Sequence, residues 1–269
     1  FYWVLKQMAD RMGFQALVIS HHDVGLFDSG INVIAASGTP EEGLSVAVRS
    51  GAAAWPDDEA PGIRALVLRN FASYADARIP LSPGVNAIIG DNNVGKSRVM
   101  RMLRSVAYAG TETSDDDIRH GERRAEVEIH LERGRVLHSS REIRRSPVTL
   151  WRLVEADGSL ATVDGVRCEA GGRQAPEWVA KTLGIARLDG LDIQLAHQKF
   201  PVFLLGEPPS KRAAVLSVGR ESGHLRAMIA AHRDNCARDQ VTVKTGEREI
   251  AELRRQLAAL GGLPGAADL

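Results

Sequence analysis

The sequence predicts an α/β fold: a mixed β-sheet around a phosphate-binding loop, a flanking antiparallel meander, and the start of a coiled-coil arm. Three observations predict it. The octet Gly90-Asp91-Asn92-Asn93-Val94-Gly95-Lys96-Ser97 stands between an apolar run of strand length and an amphipathic helical pattern. Three segments of alternating side chains follow, from Ala125 to Leu131, Val136 to Ile143 and Val148 to Val154. From Pro209 onward the chain is helical in character and highly charged, with Ile229, Cys236, Val243, Ile250 and Leu257 seven residues apart.

In chain order, Trp3, Val4, Met8 and Met12 recur at helical spacing and Gly13 stands where a helix would be capped. The continuous apolar run from Phe14 to Ile19 suits a buried parallel strand that breaks at Ser20-His21-His22-Asp23. Two β-rich runs follow, Ile31 to Ala35 and Leu44 to Val48, and then a Pro- and Ala-rich stretch from Gly51 to Gly62. That stretch reads as a linker, so residues 1–50 and 63–207 are expected to form separate lobes, with 208–269 as the helical arm. Within the second lobe, strands are expected at Ile63 to Leu68, Ala77 to Ile79 and, after a Pro83-Gly84 turn, Val85 to Ile89, leading together into the octet. Pro176 to Leu183 reads as a short helix. In the arm, Leu225, Leu253 and Leu260 take the complementary heptad positions, but His232, Asp239 and Gly246 share that row and weaken its middle. An ordinary amphipathic helix is the alternative there.

Bulk composition narrows the function classes only slightly. Lys plus Arg equals Asp plus Glu, 34 each, so contact with nucleic acid would have to come from a local basic face; Arg141, Arg144 and Arg145 are the scattered candidates. Cys168 and Cys236 are too few for a disulfide framework or a four-ligand zinc site, which fits a reducing, cytoplasmic compartment. No apolar run reaches the about 18 residues that span a bilayer, so no membrane partner is expected. The acidic run Asp115-Asp116-Asp117 reads as solvated loop carboxylates without a chemical role.

The octet matches the G-x-x-x-x-G-K-[ST] pattern in full. A loop whose N–H groups turn inward around phosphate oxygens needs glycine where the main chain bends or approaches closely, which Gly90 and Gly95 supply. Lys96 is expected to reach the β- and γ-phosphates and Ser97 to offer its hydroxyl to Mg²⁺. Asp91, Asn92, Asn93, Val94 and the following Arg98 complete the expected nucleotide cradle, and the helix dipole adds to it. The implied ligands are ATP and Mg²⁺.

Leu66 to Leu103, with Asn70-Phe71-Ala72-Ser73-Tyr74 and Pro83-Gly84-Val85-Asn86 ahead of the loop, resembles the N-terminal lobe of SMC, RecF and SbcC-type ATPases. The resemblance implies a P-loop NTPase fold, an ABC-ATPase-like head. Ile193 to Gln198, then Phe203-Leu204-Leu205 and Pro208 to Arg212, are similar to that family's Q-loop and the opening of its arm. The resemblance implies that Gln198, or second Gln194, touches Mg²⁺ and reports the γ-phosphate. The first fifty residues resemble the family's C-terminal lobe, in which Ile19-Ser20-His21 makes His21 the switch histidine at the γ-phosphate, with His22 second. An imidazole at the end of a parallel strand stands where ligands collect in open α/β sheets.

The order departs from a complete head, because the histidine segment precedes the loop. The sequence holds no four-residue apolar run ending in Asp-Glu and no Ser-Gly-Gly signature; Gly219 to Gly223 does not qualify. A tandem junction, a permuted head and a fragment all fit, and the absent initiator Met and abrupt ends favour the fragment. The resemblance implies an ATP-hydrolysing DNA-repair switch acting on double-stranded DNA, with a second ATPase head as partner in a homodimer, a possible nuclease subunit, and a cytoplasmic, nucleoid-associated location. A RecF- or SMC-like structural DNA clamp and a phage-defence ATPase fused to a nuclease are the alternatives.

Overall fold

Helix α1 (Tyr2–Met12) forms over a run free of Gly and Pro and closes with the Gly13 N–H donating to Ala9 O at 2.9 Å. It packs through Tyr2, Leu5 and Ala9, while Trp3, 67% exposed, and Val4, Met8 and Met12 lie on the solvent side. Helical spacing thus located the helix, but its larger apolar residues are not its packing face. The computed structural model describes residues 2–21, 30–39, 43–49, 53–92, 94–143, 148–185, 187–188, 191–192, 194–195, 208–209 and 222–260. They divide into two compact units, 1–197 and 198–269.

In the first unit the strands are β1 (Ala16–Ile19), β2 (Asn32–Thr39), β3 (Gly43–Val48), β4 (Ala65–Phe71), β5 (Tyr74–Pro80) and β6 (Val85–Ile89). Helix α2 (Ser97–Tyr108) follows, then β7 (Arg124–His130), β8 (Val136–Glu142) and β9 (Thr149–Val154). The short strands β10 (Thr162–Val163), β11 (Val166–Arg167) and β12 (Glu169–Gly172), helix α3 (Glu177–Leu183), and strands β13 (Arg187–Leu188) and β14 (Leu191–Asp192) complete it.

Two sheets hold ten of these strands, and β10–β11 and β13–β14 pair separately. One has the order β1-β6-β2-β3, with β6 parallel to both neighbours and β3 antiparallel to β2. The other is wholly antiparallel, in the order β12-β9-β8-β7-β4-β5. The three strands expected ahead of the loop are present and divide between the sheets: β4 and β5 join the meander, and β6 enters the parallel sheet. The reason lies in the side chains. β5 alternates buried and exposed positions, as a strand with one wet face does, whereas all five residues of β6 are buried. Its companions β1 and β2 come from the other side of the stretch 51–62. That stretch is itself tied down where described: Trp55 donates its indole N–H to Leu81 O at 3.0 Å, the Arg64 guanidinium stacks on the Trp55 ring at 3.4 Å, and the Arg133 N–H donates to Asp58 O at 2.7 Å.

Alternation along β6 gives each face its own core. Val85, Ala87 and Ile89 pack with Val33, Ile31 and α1, while Ile88 belongs to the larger cluster with Ile34, α2 and the antiparallel sheet. There Leu66, Leu68, Ile129, Leu137 and Leu153 meet Val99, Met102, Leu103 and Val106, and the Trp151 indole donates to Val106 O at 2.9 Å. Each such aliphatic side chain contributes about 1.5–3 kcal/mol on full burial, which fixes α2 against the sheet.

Asn86 is the polar exception inside β6. Its carboxamide oxygen accepts from Asn32 Nδ2 and from the Ser82 N–H, both at 2.8 Å, and its amide donates to Ser82 O at 2.9 Å. The side chain thus ties β6 to β2 and to the turn before β6.

The second unit is described chiefly by helix α4 (Ser222–Leu260), 39 residues and about 58 Å long at 1.5 Å per residue. Val243, Ile250, Leu253 and Leu257 are exposed along it, Leu257 by 74%. The expected helical arm is present with its apolar seam open to solvent. No helix among the described residues is long and apolar enough to cross a membrane.

Replacing Asn86 by Ala strands its buried partners and is expected to lower folding stability by about 3 kcal/mol. A chemical-denaturation midpoint equal to that of the parent would contradict this role.

Candidate nucleotide-binding site

The buried strand β6 ends at Ile89, and Gly90 turns the chain into the loop. Its φ of 148° and its closeness to β2 both demand glycine, since a Cβ there would stand 2.3 Å from Ala36 O. At the other end of the loop Gly95 has φ 84°, and a Cβ would meet Ser73 Oγ at 2.4 Å and Leu44 Cδ1 at 2.7 Å. The Tyr74 hydroxyl donates to Gly95 O at 3.4 Å. The loop is therefore braced from behind by β2, β3 and the β4–β5 turn, and it has the bent form a phosphate cradle requires.

Lys96 is only 4% exposed, and its ammonium donates to Gly90 O at 2.7 Å and Asp91 O at 2.6 Å. Burial lowers its pKa and the neighbouring Asp91 carboxylate works against that shift. Of three ammonium N–H groups two are thus occupied by the loop's own carbonyls, and the third has no hydrogen-bond partner among the described residues. Ser97 opens α2 on the exposed side, and Asp91 and Asn92 are also exposed, whereas Val94 packs on the main core. The helical turn begins at Lys96, which has αR geometry and makes no side-chain cap, while the Arg98 N–H donates to Gly95 O at 2.9 Å. A glycine-lined loop, one buried cation and an uncapped helix start fit a polyphosphate, and the exposed Ser97 hydroxyl fits the Mg²⁺ that accompanies it.

His21 lies on the same edge of the sheet. β1 and β6 run parallel with Ile19 paired to Ile88, and the Ser20 N–H donates to Ile88 O at 3.0 Å. Counting two residues on from each partner sets His21 level with Gly90 on adjacent strands, and His21 is exposed. Gln194 is described and exposed, just past β14. His22, Asn93 and Gln198 lie outside the described residues, as do Arg144 and Arg145.

The acidic run needs a correction. Asp117 is 1% exposed: its carboxylate accepts from Arg101 Nε at 2.6 Å and from the Ser114 N–H at 2.9 Å, closing a capping box on the turn Asp115–Asp117. Sequence reasoning treated the three carboxylates alike, although Ser114 three positions before Asp117 was the available signal. It also passed over Ser73 and Tyr74 as braces of the loop.

Lys96→Ala is expected to weaken ATP binding roughly 100-fold, about 2.7 kcal/mol. Gly95→Ala should weaken it too, by forcing the loop away from Ser73. Equilibrium titration with a fluorescent ATP analogue checks both; parent-like affinity in Lys96→Ala would exclude the cradle.

A family model for an AAA domain matches residues 65–165. The chain is 34% identical over 105 residues to a DNA double-strand break repair Rad50 ATPase of Thermoplasma volcanium, covering 37% of this chain and 12% of that protein. It is 31% identical over 122 residues to a DNA replication and repair protein RecF of Streptomyces avermitilis, covering 37% of this chain and 33% of that protein. The chain thus spans a third or less of these relatives. A solved structure from work on ATP-driven dimerization and DNA-stimulated activation of SMC ATPases aligns with 59% of this chain and 100% of its own, at 25% identity and a TM-score of 0.35, too low to establish a shared fold. The loop's geometry, the domain match and the Rad50 and RecF likenesses agree in making the lobe built around residues 65–165 similar to the P-loop lobe of SMC/RecF/SbcC-type ATPases.

Proposed function

We propose that the chain binds Mg²⁺-ATP at the Gly90–Ser97 loop and works as the nucleotide-dependent switch of a DNA-repair ATPase. The observation that carries this reading is the buried Lys96 ammonium enclosed by a loop whose two glycines admit no side chain. The Rad50 likeness supports the choice of DNA repair. Lys96 holds the β- and γ-phosphates by its remaining N–H, the backbone amides of the loop and of the start of α2 share their charge, and Ser97 holds the metal. Asp91, Asn92, Asn93, Val94 and Arg98 complete the walls of the cradle.

Bound ATP supplies the γ-phosphate, whose presence or loss separates two states of the head. His21, level with Gly90, is proposed to donate to that phosphate. Gln198, with Gln194 second, is proposed to read it beside the metal. The 269 residues hold no apolar run ending in Asp-Glu and no Ser-Gly-Gly. Hydrolysis is accordingly proposed for a dimer in which a head segment bearing those two motifs completes the site, with α4 as the start of the arm that moves. Double-stranded DNA is the proposed substrate of the movement, a nuclease subunit its further partner, and the cytoplasm its compartment.

The RecF likeness favours a second reading, a clamp that closes on DNA without a nuclease. Both readings require ATP-dependent pairing of heads. Sedimentation of the full chain should show self-association with Mg²⁺-ATP that Lys96→Ala abolishes; equal association with and without nucleotide would count against the switch. DNA affinity should fall steeply between low and moderate salt, because contacts to phosphates release counterions. Binding indifferent to salt would remove DNA from the reading.

A further inference from the structure

Helix α2 carries, seven residues beyond Ser97 and about 10 Å along its axis, a charge cluster that the cradle does not use. Arg104 grips Glu112 with two parallel bonds, Nε to Oε2 and Nη2 to Oε1, both at 3.1 Å, and its remaining Nη1 donates to the Asp192 carboxylate. Arg187 repeats the pattern from the other side: its Nε donates to Asp192 Oδ1 at 2.6 Å and its Nη2 to Glu112. Two guanidiniums and two carboxylates thus alternate in a closed ring of zero net charge. The ring is half-buried, with the Arg104 and Asp192 side chains 16% and 13% exposed and Arg187 32%, and Arg187 covers its rim by stacking on the Tyr108 ring at 3.9 Å. Hydrogen bonds from Arg104 lead the causes that hold the Glu112 carboxyl below the usual carboxylate range.

The ring joins Arg104 of α2, the turn that follows that helix, and the hairpin β13–β14, beside the stack of Arg187 on Tyr108. Glu112 ends the turn Gly110–Glu112 after α2, and Arg187 and Asp192 face each other across the hairpin β13–β14. That hairpin has only two residue pairs, Arg187 with Asp192 and Leu188 with Leu191, too few to be stable alone. Its place against α2 is set by the ring. Gln194 stands two residues past Asp192, and Leu195 returns to the main core.

We infer that Arg104, Glu112, Arg187 and Asp192 are positioning residues that couple α2, and so the phosphate cradle, to the segment bearing Gln194. The inference rests on the nucleotide reading above and assigns to it a physical link. A helix is stiff along its axis, so a displacement of its first turn by a bound polyphosphate reaches Arg104, and two forked guanidiniums transmit it to the hairpin with little play. Removing one carboxylate breaks the ring at two points and takes a partner from each of the half-buried guanidiniums.

Hydrogen exchange of the full chain, with and without Mg²⁺ and a non-hydrolysable ATP analogue, tests the link without requiring hydrolysis. In the parent the nucleotide should slow exchange both at residues 90–99 and at 187–195. Asp192→Asn should keep nucleotide affinity within about threefold and keep protection at 90–99, yet lose it at 187–195. Asp192→Glu should restore it. Arg187→Gln, at the more exposed rim, offers a variant of parent-like melting in which the distal protection should fall while the proximal protection stays. Protection at 90–99 without any at 187–195 in the parent, or full distal protection in Asp192→Asn or Arg187→Gln, would overturn the link and leave the nucleotide reading standing. No protection at 90–99 in the parent would overturn both.

Discussion

The site depends on β6 being held along both edges by parallel strands that come from the first forty residues. A parallel strand buried on both faces cannot stand at the edge of a sheet without losing backbone partners, and β1 and β2 supply them. This pairing puts Ala36 O against Gly90 and brings the end of β1, with His21, level with the loop. Asn86 reinforces it from inside, binding β2 and the preceding turn through one side chain. Geometry at the loop is thus a consequence of pairing with segments 54 and 69 residues away in sequence, Ile34 and Ile19 both standing opposite Ile88.

Charge is handled by enclosure at each of the sites that matter. Lys96 gives two of its N–H groups to main-chain carbonyls, so the cation is buried without a full counter-ion and an incoming polyphosphate would supply one. Asp117 is buried too, but satisfied by Arg101 and a backbone N–H. The Arg104 ring is satisfied entirely by side chains. Of these three, Lys96 is the one with no carboxylate ion pair among the described residues, which separates the binding site from structural ion pairs.

Much of this was legible in the sequence because its signals are local. The octet, its flanking strand and helix, the helix closed at Gly13 and the meander of three alternating strands can all be read within windows of about 10–15 residues. What could not be read was pairing between distant segments. Chain order shows β4, β5 and β6 as strands but not that β4 and β5 pair with the meander while β6 pairs with β1 and β2. Strand β12 escaped notice because Gly171 and Gly172 carry no β signal and the strand exists by pairing with β9. In α1 the bulky apolar residues drew attention while the packing falls to Tyr2, Leu5 and Ala9. Asp117 looked like its two neighbours, and only the turn that buries it distinguishes it. His21 was found by family resemblance, and strand register gives it a physical position beside the loop.

A grip on phosphate, as opposed to a pocket for a base, is the central claim, and calorimetric titration of the full chain with ATP and with AMP, each with and without Mg²⁺, tests it most directly. The account predicts that Mg²⁺ strengthens ATP binding and that AMP, lacking the phosphates Lys96 would reach, binds roughly 100-fold more weakly. Equal affinity for ATP and AMP, indifferent to Mg²⁺, would contradict it.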